Sequence, residues 1–324
     1  MTAINRRDLF ITALVLPLAL FGGVQFYYSW PGPLFVGVLG GYGLVAYARG
    51  ARPALLRSAL VLWSAAALAA LVNLDIYPVT VSRLLLGAAA IGALGLFYGR
   101  EIFGGLYLAG LLWPGVYLLG RAAGWDDSAN VLGAWSVLFV AVGLSGRKWL
   151  YILPHAALLI YLGSRGALLG ALAVLIVYLW PFFRSKTFYP VAPILAGLMV
   201  WRWDNTLVRL HYWTSALFSV SFFGLGPGGL WARQIIIEPG SNLYQIHAHN
   251  IFITWLAETG LIGFILGGLA LFPLPFLRCQ RWQGAIIAGL LAQSMVDEPL
   301  FWPGLMIIFA MVLSNVSRET TGNR

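Results

Sequence analysis

The chain has 324 residues, of which 60% are hydrophobic and only 10% charged, and its mean hydropathy of +0.83 lies far outside the range of a soluble globular domain. A formal charge of +9 fits the Lys and Arg excess in the cytoplasmic loops of a membrane protein, so no nucleic-acid partner is expected. The single cysteine, Cys279, excludes an internal disulfide and a Cys metal cluster.

A membrane-crossing helix needs about 20 mostly apolar residues. Apolar runs between polar breaks predict twelve helices, starting near Leu9, Pro33, Ala54, Val79, Ile102, Ala129, Trp149, Gly166, Phe188, Ile251, Gly284 and Leu300. The first follows Arg6 and Arg7 and reads as a retained span rather than a cleaved leader, because no clear small-x-small site follows Leu20. The seventh and eighth meet at Gly163-Ser164-Arg165-Gly166 and the ninth is interrupted by Pro193, so ten or eleven spans is the competing count.

Threading the chain with its N-terminus inside puts most basic residues in cytoplasmic loops, among them Arg49, Arg57, Arg100, Lys148 and Arg281. Asp75, Asp126, Asp127, Asp204, Glu238, Asp297 and Glu298 then face the other side. This pattern predicts an all-α, polytopic protein of about 12 transmembrane helices, one integral membrane domain over residues 1–324, with both termini cytoplasmic. The arginines left on the outer side (Arg83, Arg121, Arg165, Arg202, Arg209 and Arg233) run against that bias. Anion binding is one reason for them to be there.

The one long extramembrane segment spans residues 202–248, between spans 9 and 10. Within it, Asn205 to Phe222 reads as an amphipathic helix at the membrane surface, with Arg209 and Trp213 on one face and His211, Ser215 and Ser219 on another. The run Gly224-Leu225-Gly226-Pro227-Gly228-Gly229 must turn. It lacks the Lys and Ser/Thr of a nucleotide-binding loop, although the backbone at Gly226 and Gly228 could offer N–H groups to a diphosphate.

Polar residues at the mouth of the tenth span, His247-Ala248-His249-Asn250, carry the strongest local signal. His249 suits general acid or base work at neutral pH; an interfacial histidine that caps the helix with Asn250 is the equal alternative. A His-x-His pair also binds metals, but Glu238, Asp204 and His211 follow no metal-site spacing, and no metal or cofactor is expected. Arg165, at a hairpin tip flanked by small residues, suits a phosphate through bidentate bonds or snorkels to lipid headgroups. Arg209 has the same two readings, with Trp213 placed to stack on the cation or on a sugar. Arg83 and Glu258 are charged positions within or at the edge of spans. Glu258 is nine residues beyond His249, about 180° round an ideal helix, and reads as structural.

The order of Ser164-Arg165-Gly166 at a hairpin, Arg209 with Trp213 in the outer loop, the Gly224 to Gly229 turn, and His249-Asn250 followed by Gly260-x-x-Gly263 resembles the O-antigen ligase and O-antigen polymerase family of integral membrane glycosyltransferases. The resemblance covers roughly residues 150 to 300. It implies a GT-C-like helical fold in the bacterial inner membrane and a metal-independent, inverting transfer from an undecaprenyl-diphosphate-linked glycan at the periplasmic face. Catalytic roles would fall to His249, Arg165 and Arg209. Substrate contacts would come from His247, Asn250, Trp213, Arg83, Gly226 and Gly228. The acceptor would be lipid A-core for a ligase or another lipid-linked glycan for a polymerase, with a chain-length regulator as a further partner; the His249 to Gly263 spacing leans to the ligase. A lipid-linked glycan transporter or flippase is the competing class, but it should show two related halves and a midplane site. A purely structural membrane subunit would use the same polar residues only as interfacial anchors.

Overall fold

The computed structural model describes residues 5–21, 31–51, 53, 55–73, 78–122, 129–146, 148–183, 203–237, 245, 247–271 and 277–318. Its first half is α1 (Arg6–Phe21), α2 (Pro31–Ala48), α3 (Leu56–Asn73), α4 (Pro78–Leu96), α5 (Phe103–Ala122) and α6 (Ala129–Ser145). Next come α7 (Trp149–Leu162), α8 (Arg165–Phe183), α9 (Trp203–Phe218) and the single turn α10 (Gly229–Ala232). The chain ends with α11 (Ile251–Leu271), α12 (Arg281–Ser294), a 3-10 turn (Pro299–Phe301) and α13 (Pro303–Leu313). Two-residue strands at Leu277–Arg278 and Ser317–Arg318 pair antiparallel, and the regular structure among the described residues is otherwise helical.

Eleven of the twelve helices read from the sequence begin within a turn of their expected starts; the ninth, from Phe188, lies outside the described residues. Among the described residues, four helices are long and apolar enough to cross a membrane: Leu56–Asn73, Pro78–Leu96, Phe103–Ala122 and Ile251–Ala270. Shorter apolar helices, such as Ala129–Ser145 and Trp149–Leu162, accompany them.

The bundle is organised around α6, whose residues from Val131 to Gly143 are all buried, as expected of a helix that is apolar on every side. It packs against α5, α7, α8 and α12. Glycines set the closest approaches, as small residues do between membrane helices. Gly43 of α2 meets Gly92 of α4 backbone to backbone, and a Cβ on Gly170 of α8 would lie 2.8 Å from the Gly289 carbonyl of α12.

Prolines within these helices need compensation. Pro114 in α5 has no N–H to offer the carbonyl of Gly110, four residues earlier. The fully buried His155 of α7 places Nε2 3.0 Å from that oxygen. It therefore donates from Nε2, satisfying a carbonyl that the bilayer interior leaves without water.

The helix read as one span from Ile251 is broken. At Gly260 the backbone turns to φ 70°, ψ −172°, a region open to glycine. In an unbroken helix the N–H groups of Leu261 and Ile262 would donate to the carbonyls of Ala257 and Glu258. Instead Leu261 and Ile262 donate to Ser221 and Phe222 (3.1 and 3.2 Å), while Ala257 and Glu258 accept from Leu225 and Gly226 (3.0 and 2.8 Å). The segment 221–226 thus supplies a partner for each of the four groups that the break releases.

Candidate functional site

The site forms where the starts of α4, α8 and α11, the end of α12 and the buried face of α9 come together. Its centre is His249, one residue before the N-cap of α11. The Nδ1 of His249 lies 3.1 Å from Asp297 Oδ1, and its ring stacks on Tyr212 of α9 at 5.6 Å and 25°. Its backbone has φ 55°, uncommon for a non-glycine residue and a marker of a conformation imposed by its surroundings. In the neutral imidazole, Asp297 accepting from Nδ1–H leaves Nε2 as the proton acceptor.

Asn250 is the helix cap, as one reading of the sequence has it: its Oδ1 accepts from Phe252 N (3.0 Å) and Ile253 N (3.2 Å). His249 does not share that task, because its ring faces Asp297 and Tyr212. Glu298 completes the start of α11. Its Oε1 accepts from Asn250 N at 3.0 Å and from the Thr254 hydroxyl. Its Oε2 stands 3.6 Å from His247 Nδ1. Burial pushes the Glu298 carboxyl up to about 8 and, with help from the neighbouring His249, Arg83 and Arg209, holds His247 well below the ordinary imidazole range. Both shifts favour the uncharged form of the group. The two imidazoles meet edge to face at 4.6 Å.

Arg83 and Arg209 lie near His247, and Arg165 lies near Arg209. Arg209 donates to the carbonyl of Val296, the residue before Asp297. Burial lowers its pKa from the ordinary guanidinium value; Asp297 opposes that shift and the positive charge of Arg165 adds to it. Arg165 opens α8 directly after Gly163, whose φ of 60° ends α7, and Ser164, whose Oγ caps α8 by accepting from Ala167 N at 3.2 Å. Gly166 allows this corner to approach α12, since a Cβ there would already lie 3.3 Å from Asp297 Cβ and Gln293 Cγ. The sequence neighbourhood of Arg165 is free of acids, but the fold brings Asp297 against the next residue, Gly166.

Arg83, expected to touch substrate, is bound to Glu258 of α11 in a buried ion pair. Glu258 also lies against the backbone amides of Gly228 and Leu230 at the start of α10. The structural reading of Glu258 therefore describes its geometry well. Arg83→Gln is expected to destabilise the fold by about 3–5 kcal/mol, because it leaves a carboxylate buried without its counter-charge. The double variant Arg83→Gln/Glu258→Gln should recover most of that loss in thermal unfolding of the detergent-solubilised protein.

Arg165, Arg209, His247, His249 and Asn250, spread over 86 residues of sequence, share this one end of the bundle. Gly226 and Gly228 do not offer their amides to a ligand as expected: Gly226 N donates to the Glu258 carbonyl and Gly228 N lies against the Glu258 carboxylate. Trp213 also differs. Its ring packs in the small core formed by Tyr212, Ala216, Leu230, Ile236, Ala248 and Ala257, and the aromatic that meets His249 is its neighbour Tyr212. Asp297 and Glu298 were missed as site residues. Their signal was present, as two adjacent acids in a late segment that holds no other carboxylate between Glu258 and Glu319.

Among the described residues no group of three or more His, Cys, Asp and Glu is arranged to hold a metal ion. The constellation offers one histidine with a free ring nitrogen, an acid that fixes its tautomer, and cationic groups for a neighbouring anion. Searches against protein-family models, curated proteins and solved structures find no match to the chain.

Proposed function

We propose that this protein is a membrane glycosyltransferase of the O-antigen ligase and polymerase type, moving a glycan from undecaprenyl diphosphate to an acceptor hydroxyl. The observation that carries the reading is the convergence of the His249–Asp297 pair with Arg165 and Arg209 at one end of a bundle of apolar helices. On this reading the bundle is GT-C-like, crosses the bacterial inner membrane about 12 times, and opens its site to the periplasm.

The chemistry follows from the groups. His249 Nε2 takes the proton of the acceptor hydroxyl; the oxygen attacks the anomeric carbon from the face opposite the diphosphate; the bond to the diphosphate oxygen breaks and the configuration inverts. Charge gathers on the leaving diphosphate, where Arg165 and Arg209 stabilise it. Tyr212 and Asp297 hold the imidazole in place.

Reconstituted protein is to be given a fluorescent undecaprenyl-diphosphate glycan with and without lipid A-core, and the products resolved on a gel. The expected result is a single product that requires lipid A-core, marking a ligase. A ladder from donor alone would make it a polymerase, and no transfer in either condition would overturn the reading in favour of transport.

A further inference from the structure

A second cationic site lies at the far end of α4. Arg83, beside the histidines, lies 13 residues before Leu96, the end of α4, about 20 Å along the helix, and Arg100 follows the turn beyond it. Beside Arg100, a cavity of about 310 Å³ is lined by Arg7, Phe10, Ile11, Phe97 and Arg100.

Its lining is amphiphilic. Ile11 and Phe97 form a buried apolar floor, each 1% exposed, whereas Phe10 is 57% exposed and its neighbour Leu9 53%. The two arginines are exposed, and among the described residues neither forms an ion pair. The nearest acid on α1, Asp8, is engaged in a reciprocal cap: Asp8 N donates to Asn5 Oδ1 at 2.9 Å and Asn5 N to Asp8 Oδ2 at 3.4 Å. Glu101 follows Arg100 and is exposed. Two guanidiniums at one opening repel each other, and the N-terminal end of α1 adds positive potential beside Arg7. An oxyanion with several acceptor oxygens relieves both effects.

We propose that this cavity binds the phosphate of an anionic phospholipid between Arg7 and Arg100, with an acyl chain running over Phe10 along the exposed side of α1. A free phosphate would use the arginines but gain nothing from the exposed apolar surface of Leu9 and Phe10. A lipid gains both, as basic pockets at membrane surfaces do. The site is independent of glycan transfer and stands on different residues.

The test uses the full chain in neutral detergent, with lipid binding followed by native mass spectrometry and melting temperature. Phosphatidylglycerol is expected to bind and raise the melting temperature, while phosphatidylcholine and inorganic phosphate leave it near the lipid-free value. Arg7→Gln and Arg100→Gln should each weaken phosphatidylglycerol binding about tenfold, and Arg57→Gln, at another exposed basic position, should not. Equal stabilisation by inorganic phosphate would make the cavity a soluble-anion site and overturn the proposal. So would equal stabilisation by phosphatidylcholine, or a loss in Arg57→Gln as large as in Arg7→Gln, which would mark general attraction to a basic surface.

Discussion

His249→Ala is expected to abolish glycan transfer while the protein still reaches the membrane and purifies as a folded species. General base catalysis contributes about 10²–10⁴-fold, so residual activity should fall near the limit of a gel assay. Asp297→Asn separates base chemistry from simple placement. An Asn amide can hold the ring in position, but it donates to Nδ1 and leaves the proton on Nε2, the wrong tautomer for accepting one. The expected signature is a kcat lowered by about 10²-fold or more with KM little changed. Arg165→Gln and Arg209→Gln should each lower kcat by about 10²–10³-fold through lost stabilisation of the leaving diphosphate. Full activity in the arginine variants and in His249→Ala would remove the proposed site.

The largest effect on folding is expected at the break in α11. Gly260 and Gly224, both at positive φ, face each other, and a Cβ on either would run into the other's backbone nitrogen and, on Gly224, into the Glu258 carbonyl. Backbone cannot move aside as a flexible side chain can. Gly260→Ala and Gly224→Ala should therefore each cost about 3 kcal/mol or more through steric clash and strained φ together. Gly268, lower in the same helix, has nothing within 4 Å of its added Cβ, and Gly268→Ala should be neutral or stabilising by up to about 1 kcal/mol. Comparing melting temperatures of the three variants in detergent distinguishes a built break from general intolerance of change in α11. Similar behaviour of Gly260→Ala and Gly268→Ala would count against the break.

Helix positions were legible because a bilayer demands long apolar runs, and the breaks between them are polar or rich in glycine and proline. Arg165 and Arg209 drew attention for a related reason: the expected threading of the chain set them against the charge bias of membrane loops. Contacts across long sequence separations were not legible. Asp297 is 48 residues beyond His249, and Glu258 is 175 beyond Arg83, and no periodicity connects such positions. The break at Gly260 was also hidden, since residues 251–271 read as one apolar run and the groups that satisfy the break come from 221–226. On α9 the sequence drew attention to Trp213, four residues from Arg209, but Tyr212 turns a different side, about 100° away, and it is that side which meets His249.

The enclosure of α6 bears on how such a chain is assembled. A helix buried along Val131 to Gly143 has no lasting place against lipid, yet one of its walls, α12, is synthesised well over a hundred residues later. In water such an exposed apolar surface would drive aggregation. In a bilayer, acyl chains cover it at little cost, so lipid serves as a provisional neighbour until α12 arrives and displaces it.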